Sequence, residues 1–310
     1  MKKRRLLALT LSVLLTFTAC SGAIEQSYTA YADSQTVQVS AETASAPTIL
    51  ESVFDKGKAN AKGNAWIDVS HVSDGYVAVA AISDKRLKFQ VICGEIKYNY
   101  DMKNDGTPSI FPLQSGNGEY KFRIMKNTSE KKYAEIHSVV CAVTLKDQFQ
   151  PFLRPSAYVN YNKDSKCVAK AVELTKSCKT DLEKIKAIYD FVCNTVKYDH
   201  QKAKTVQSGY LPTPDETMTT GKGICFDYAS LAASMLRSQG IPTKVIFGYV
   251  SPNGLYHAWN MFYTKESGWV TVSYQLNPQN WTRMDLTFSA NGADGNFIGD
   301  GGNYKDVYMY

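Results

Sequence analysis

Cys225, His257 and Asp285 have the types and the order that thiol chemistry needs. Cys225 follows the two-glycine loop Gly221-Lys222-Gly223-Ile224 and opens a helical pattern. Leu231, Met235 and Leu236 form its apolar face, with Ala229, Ala232 and Ala233 between them. Gly240 and Pro242 stop that helix. A thiol at a helix start feels the positive end of the macrodipole, which favours the nucleophilic thiolate. The thiol needs a base, and the base needs an orienting partner. His257 stands in the strand-like run Tyr256-His257-Ala258-Trp259-Asn260, and Asp285 in a later one, Trp281 to Phe288. Each alone has a plainer reading: a cysteine buried on a core helix, a histidine satisfied in a core or at a surface. Their order, helix start first and strands after, joins them into one site.

The segments G-K-G-I-C-F-D-Y-A, H-A-W-N and M-D-L-T-F together resemble the transglutaminase-like domain of the papain-like cysteine-enzyme superfamily, from about Pro155 to Phe288. The resemblance implies an α+β fold with a papain-like core. It also implies that Cys225 attacks an acyl carbonyl, of a glutamine side chain or a peptide bond, to form a thioester. His257 then moves the proton and Asp285 accepts from the imidazole. Acyl transfer to an amine and hydrolysis share the first half-reaction, and both stay open. Ser273 is the competing third member: it follows the strand-like Gly268-Trp269-Val270-Thr271-Val272, where shorter relatives carry the acid. A serine cannot carry the charge that stabilises an imidazolium, so Asp285 is preferred, although Leu286 stands where a proline is usual. The oxyanion candidates are the backbone N–H of Cys225 and the hydroxyls of Tyr198 and Tyr210. Asp227 is assigned to the helix's first turn. The rival reading, from another class, is a catalytically silent papain-like module that holds a peptide or glycan at the cell envelope.

The elements that must position these residues follow from the rest of the chain. Its 310 residues exceed one average domain, and a 44% apolar fraction suits globular packing. The net charge of +6 owes four charges to Lys2, Lys3, Arg4 and Arg5. No basic stripe interleaved with aromatics remains, which excludes a nucleic-acid partner. The seven cysteines include no Cys-x-x-Cys pair and no zinc spacing, so neither a metal nor a cofactor is expected. Cys93 with Cys141 is the one disulfide to consider, against the stronger reading of buried free thiols.

Residues 1–20 are shaped as a bacterial lipoprotein signal peptide, with a basic start, the apolar run Leu6 to Phe17, and Phe17-Thr18-Ala19-Cys20 at the end. Cys20 is the expected lipid-bearing residue, which makes the protein exported and membrane-anchored on the cell envelope. Residues 21–50, rich in Ser, Thr, Ala and Gln, read as a flexible tether. Residues 51–150 alternate with period two, broken by turn signals at Asn104-Asp105-Gly106 and Ser115-Gly116-Asn117-Gly118. Six or seven short strands predict an immunoglobulin-like β-sandwich, a spacer or docking module dispensable for chemistry. Residues 151–310 are then the catalytic domain, acting on a protein or peptide substrate. Its second helix starts at Thr180-Asp181-Leu182-Glu183 with capping-box spacing and carries the stripe Ile185, Ile188, Tyr189, Val192 and Val196. Lys204 to Glu216 reads as a polar loop stiffened by Pro212 and Pro214. Gly292 to Gly302 reads as a mobile loop whose Asp spacing does not fit a calcium-binding EF-hand.

Overall fold

Period-two alternation in the first half of the chain builds two antiparallel sheets. The computed structural model describes residues 49–251, 254–265, 268–271, 287 and 304–310. Residues 1–20, expected as a signal peptide, together with Ser273, Asp285 and the Gly292–Gly302 stretch, lie outside the described residues. Of the run expected as a strand from Trp281 to Phe288, Thr287 alone is described; it is buried, with helical backbone.

The first sheet orders β1 (Asn60–Lys62), β2 (Ala65–Asp68), β3 (Tyr76–Ala81) and β6 (Ser109–Pro112) side by side. The second orders β5 (Ile96–Met102), β4 (Leu87–Cys93), β7 (Gly118–Ser129) and β8 (Lys132–Val143). Val77 and Val79 of one and Phe89 and Phe122 of the other belong to a shared core, and the Phe89 and Phe111 rings stack at 4.9 Å between centroids. All of β3 is buried. Its outer face is covered too, because Tyr76 Oη accepts the Val53 N–H at 3.0 Å and lies under the Arg154 guanidinium. The turns form where the sequence marks them, with Gly106 and Gly116 in the left-handed region. His71 stacks on Tyr76, and His137 is buried with Nε2 2.8 Å from Asn60 O, so both histidines are structural.

Tyr120 of β7 is paired with Cys93 on one side and Cys141 on the other. Two strand spacings, about 10 Å, separate those thiols, beyond the reach of a disulfide. Both are free.

The helical part begins with α1 (Lys166–Thr175) and α2 (Asp181–Thr195). At the start of α2, Thr180 Oγ1 accepts the Glu183 N–H, and Glu183 Oε2 reaches back to the Lys179 N–H. Ile185, Ile188, Tyr189, Val192 and Val196 are all buried, as their spacing predicts. The stretch expected as a polar loop is partly helical: α3 spans His200–Thr205, and Pro214 opens α4, Pro214–Thr220. Proline suits that position because its missing N–H has no helical partner there.

After β9 (Lys197–Tyr198) and β10 (Lys222–Gly223), α5 runs Cys225–Ser238. It packs on a third antiparallel sheet ordered β13 (Gly268–Thr271), β12 (Leu255–Thr264), β11 (Thr243–Val250) and β14 (Tyr304–Met309). Residues Ala46 to Tyr310 form one compact unit. One apolar cluster runs from Phe89 and Tyr100 of the first half to Leu231 and Leu236 of α5. Arg237, buried at the end of α5, donates to three carbonyls from separate segments: Thr243 O at 2.9 Å, Arg154 O at 2.7 Å and Tyr310 O at 3.3 Å. Burial pulls its pKa down to about 10.

Candidate active site

The nucleophile loop is shaped by its two glycines. Gly221 ends α4 in the left-handed conformation, φ 62°, where a side chain would also crowd Thr195 O. Gly223 pairs with Tyr198 in the short parallel ladder of β10 on β9. A Cβ on Gly223 would fall 2.6 Å from Asp227 Cβ, so only glycine lets that carboxylate fold back under the loop. The loop thus delivers Cys225 to the first position of α5, partly exposed. Its N–H, as the first of the helix, has no partner within the helix and faces outward as a donor.

Asp227 is fully buried and satisfied by three groups. Oδ2 accepts the Ile224 N–H at 2.8 Å and the Lys202 Nζ at 2.7 Å, and Oδ1 accepts the Tyr210 hydroxyl at 2.5 Å. Lys202 Nζ also donates to Tyr210 Oη at 2.7 Å and lies 4.4 Å from that ring's centroid. The assignment of Asp227 to the first turn therefore holds, and the aspartate does more than cap. It ties the residue before Cys225 to the α3 region. A polar cleft of about 410 Å³ opens beside this network, lined by Asp199, Lys202, Tyr210, Glu216 and Lys222 among others.

The two tyrosines named as oxyanion donors are separated by this geometry. Tyr210 spends its proton on Asp227; burial and that hydrogen bond push its pKa well up. The Tyr198 hydroxyl has no hydrogen-bond partner among the described residues, and its ring meets His200 edge to face at 5.0 Å. Burial and then the nearby Cys225 push Tyr198 up, so its hydroxyl stays protonated beside the thiol.

His257 lies on β12 opposite Gly248 and is buried, its ring 6.2 Å from that of Trp259. Helix α5 and β12 run in the same direction. Phe226 packs on Phe247, the partner of Ala258 in the ladder, and Asn260 Nδ2 donates to Ala229 O at 3.0 Å. Cys225 and His257 therefore sit at the same end of the sheet. Alternation along the strand turns Tyr256 and Asn260 toward α5, and puts the His257 ring on the opposite face with Trp259. Tyr256 feels Cys225 as well: burial first, then Tyr308, Tyr249 and Cys225, push its pKa up. Reading the sequence missed Lys202 and Asn260. Lys202 has no motif around it, but the Asp two residues past the cysteine was the signal that a counter-charge must exist.

Among the described residues no group of three or more His, Cys, Asp or Glu is placed to hold a metal ion, and no helix is long and apolar enough to cross a membrane. Residues 168–274 match the family described as the transglutaminase-like superfamily. Over 62 residues the chain is 40% identical to a UPF0252 protein of Methanocaldococcus jannaschii, an alignment covering 18% of each chain. Over 79 residues it is 35% identical to a protein-glutamine gamma-glutamyltransferase of Pseudomonas aeruginosa, covering 21% of this chain and 12% of that one. The chain thus spans less than a fifth of the length of these relatives. The periplasmic domain of TgpA from Pseudomonas aeruginosa is similar at 13% identity and a TM-score of 0.35, over 76% of this chain and 98% of that one. Over residues 168–274, about a third of its length, the chain is thus similar to the transglutaminase-like superfamily.

Proposed function

We propose that this protein is a thiol acyl enzyme acting on glutamine side chains or peptide bonds, with Cys225 as nucleophile, His257 as proton carrier and Asp285 as orienting acid. Cys225 Sγ attacks the acyl carbonyl, the C–N bond breaks, and ammonia or an amine leaves with the proton held by His257. Water or a second amine then attacks the thioester, and the thiol is regenerated. The Cys225 N–H and the Tyr198 hydroxyl are the oxyanion donors. The observation that carries this reading is the placement of Cys225 at a helix start, on a pinned glycine loop, at the same end of the sheet as His257.

A second reading has one observation of its own. The His257 ring lies on the Trp259 face of β12, whereas α5 packs on the Asn260 face. That favours a silent papain-like module holding a peptide or glycan. Incubation with a peptide library, with and without added amine, separates the readings by mass spectrometry. Deamidated, cleaved or amine-bearing peptides that vanish with Cys225→Ala support the enzyme. Retained but unmodified peptides support the module.

The envelope location is carried by residues 1–20, whose charge and apolar pattern is that of an export signal with Cys20 as lipid-bearing residue. In this reading residues 51–150, an immunoglobulin-like unit, hold residues 151–310 toward substrate. Cys20→Ser is expected to move the protein from the membrane fraction to the medium, and retention after processing would refute the anchor.

A further inference from the structure

The described structure buries a carboxylate two residues from the candidate nucleophile. Asp227 has no solvent exposure, and it shares the first turn of α5 with Cys225. A negative charge held out of water at that separation opposes formation of a second one on the thiol. The charged and titratable groups around that turn are Tyr198 on β9, Asp199 just before α3, Lys202 on α3, Tyr210, Glu216 on α4, Lys222 on β10, and Tyr256 on β12. Only Lys202 forms an ion pair with Asp227 among the described residues, at 2.7 Å from Oδ2.

Lys202 is also held in place by the nucleophile loop itself. Asp199 N–H donates to Gly223 O at 2.9 Å, and Asp199 Oδ1 accepts the Lys202 N–H at 2.8 Å. The short helix carrying Lys202 is therefore fastened to the loop that carries Cys225. Tyr210 closes the arrangement, accepting from Lys202 and donating to Asp227.

Resting on the reading of Cys225 as nucleophile, we propose that Lys202 is a positioning residue for it. Its ammonium neutralises Asp227 and, with Tyr210, holds the carboxylate on the Ile224 N–H, so no uncompensated charge opposes the thiolate. Lys202 touches neither substrate nor the reacting atoms in this role. It acts through Asp227.

The test uses the full chain and the rate of Cys225 alkylation by iodoacetamide, followed across pH on the Cys225 peptide by mass spectrometry. Lys202→Met is expected to slow alkylation about tenfold at pH 7 and to move the rate profile toward higher pH, the scale of one unit charge uncovered near the thiol. Lys202→Arg, which keeps the charge, is expected to restore the rate to within about threefold. The double variant Lys202→Met with Asp227→Asn removes both charges and leaves a neutral amide in place of the carboxylate, and its profile is expected to return toward the parent's. A purely structural role predicts the opposite: the double variant stays as slow as Lys202→Met, with no shift along the pH axis. That result, or a parental profile for Lys202→Met, overturns the proposal. Should Lys202→Met fail to fold, the other two variants are compared with the parent: profiles within about threefold of the parent's for both support the proposal, and a double variant slowed about tenfold or more overturns it. Alkylation needs no turnover, so loss of the enzyme reading in the peptide assay is a separate outcome from loss of this one.

Discussion

Tyr100 and Tyr310 meet edge to face with ring centroids 5.3 Å apart, one from the fifth strand of the chain and the other just past the last. Tyr158 fits against both, at 5.5 Å and 4.6 Å. The three rings, two buried and that of Tyr158 partly so, join the two-sheet half of the molecule to the sheet that carries His257, so the two halves share an interior at this seam.

Tyr310→Ala is therefore expected to cost about 3 kcal/mol, the scale of removing a buried aromatic. Urea unfolding followed by tryptophan fluorescence and by circular dichroism should give one coincident transition, shifted to lower denaturant. Two separate transitions would show that the halves are independent. By the same argument a fragment starting near Gln150 exposes Tyr158 and Tyr310 to water and is expected to be poorly soluble, contrary to the dispensability that the sequence alone suggests.

Asp285→Ala is expected to lower turnover by roughly 10⁴-fold with the fold intact, and Ser273→Ala to change it little, since losing the orienting acid of a triad has that scale. Release of ammonia or cleaved peptide, measured on both variants, checks this. A reversal of the two effects would move the third role to Ser273.

Tyr198→Phe removes a hydroxyl that has no other partner among the described residues and sits beside Cys225. Loss of one oxyanion donor predicts a fall in kcat of about 10²-fold with KM little changed. An equal rise in KM with kcat preserved would instead assign Tyr198 to ordinary substrate binding.

Asp74 gives the fold a pH dependence. Burial pushes its carboxyl up, but the hydrogen bonds from Lys146 at 2.8 Å and His71 at 3.3 Å, with the Arg154 charge, hold it net below its ordinary 3.8. A folded-state value below the unfolded one contributes stability that is present above pH 3.8 and is lost as pH falls through the folded value. Asp74→Asn is expected to flatten the acid limb of the stability curve and to cost under about 1 kcal/mol at neutral pH, because the network is partly exposed. Thermal melts between pH 3 and pH 7 read both effects.

The parts of this structure legible in the sequence were those fixed by neighbours in the chain. The helix from Cys225 ends where Gly240 and Pro242 stop it, and Thr180 with Glu183 caps the helix that their spacing marks. Pairing across the chain was not legible. Lys202 and Asp227 meet through an intervening helix and a glycine loop, and no local pattern encodes that contact. The first strand, Asn60–Lys62, is wholly exposed and so carries no apolar signal. Tyr304–Met309 joins its sheet beside Thr243–Val250, a partner some sixty residues earlier. For the candidate site, Cys225 and its loop were readable from type and spacing, whereas the choice between Tyr198 and Tyr210 required knowing which hydroxyl already had a partner.

Strand order also settles what Cys93 and Cys141 do for the protein. With Tyr120 standing between them, the pair cannot act as a covalent staple, and the eight-stranded half must hold its shape by packing alone. Its maturation then needs no oxidant and no disulfide-exchange partner, and a reducing buffer should leave its melting behaviour unchanged. Cys141, Cys167 and Cys178 have their ionisation disfavoured by burial. A thiol reagent at neutral pH therefore meets these three in their less reactive form, so they can stay in place when labelling of Cys225 is scored on its own peptide.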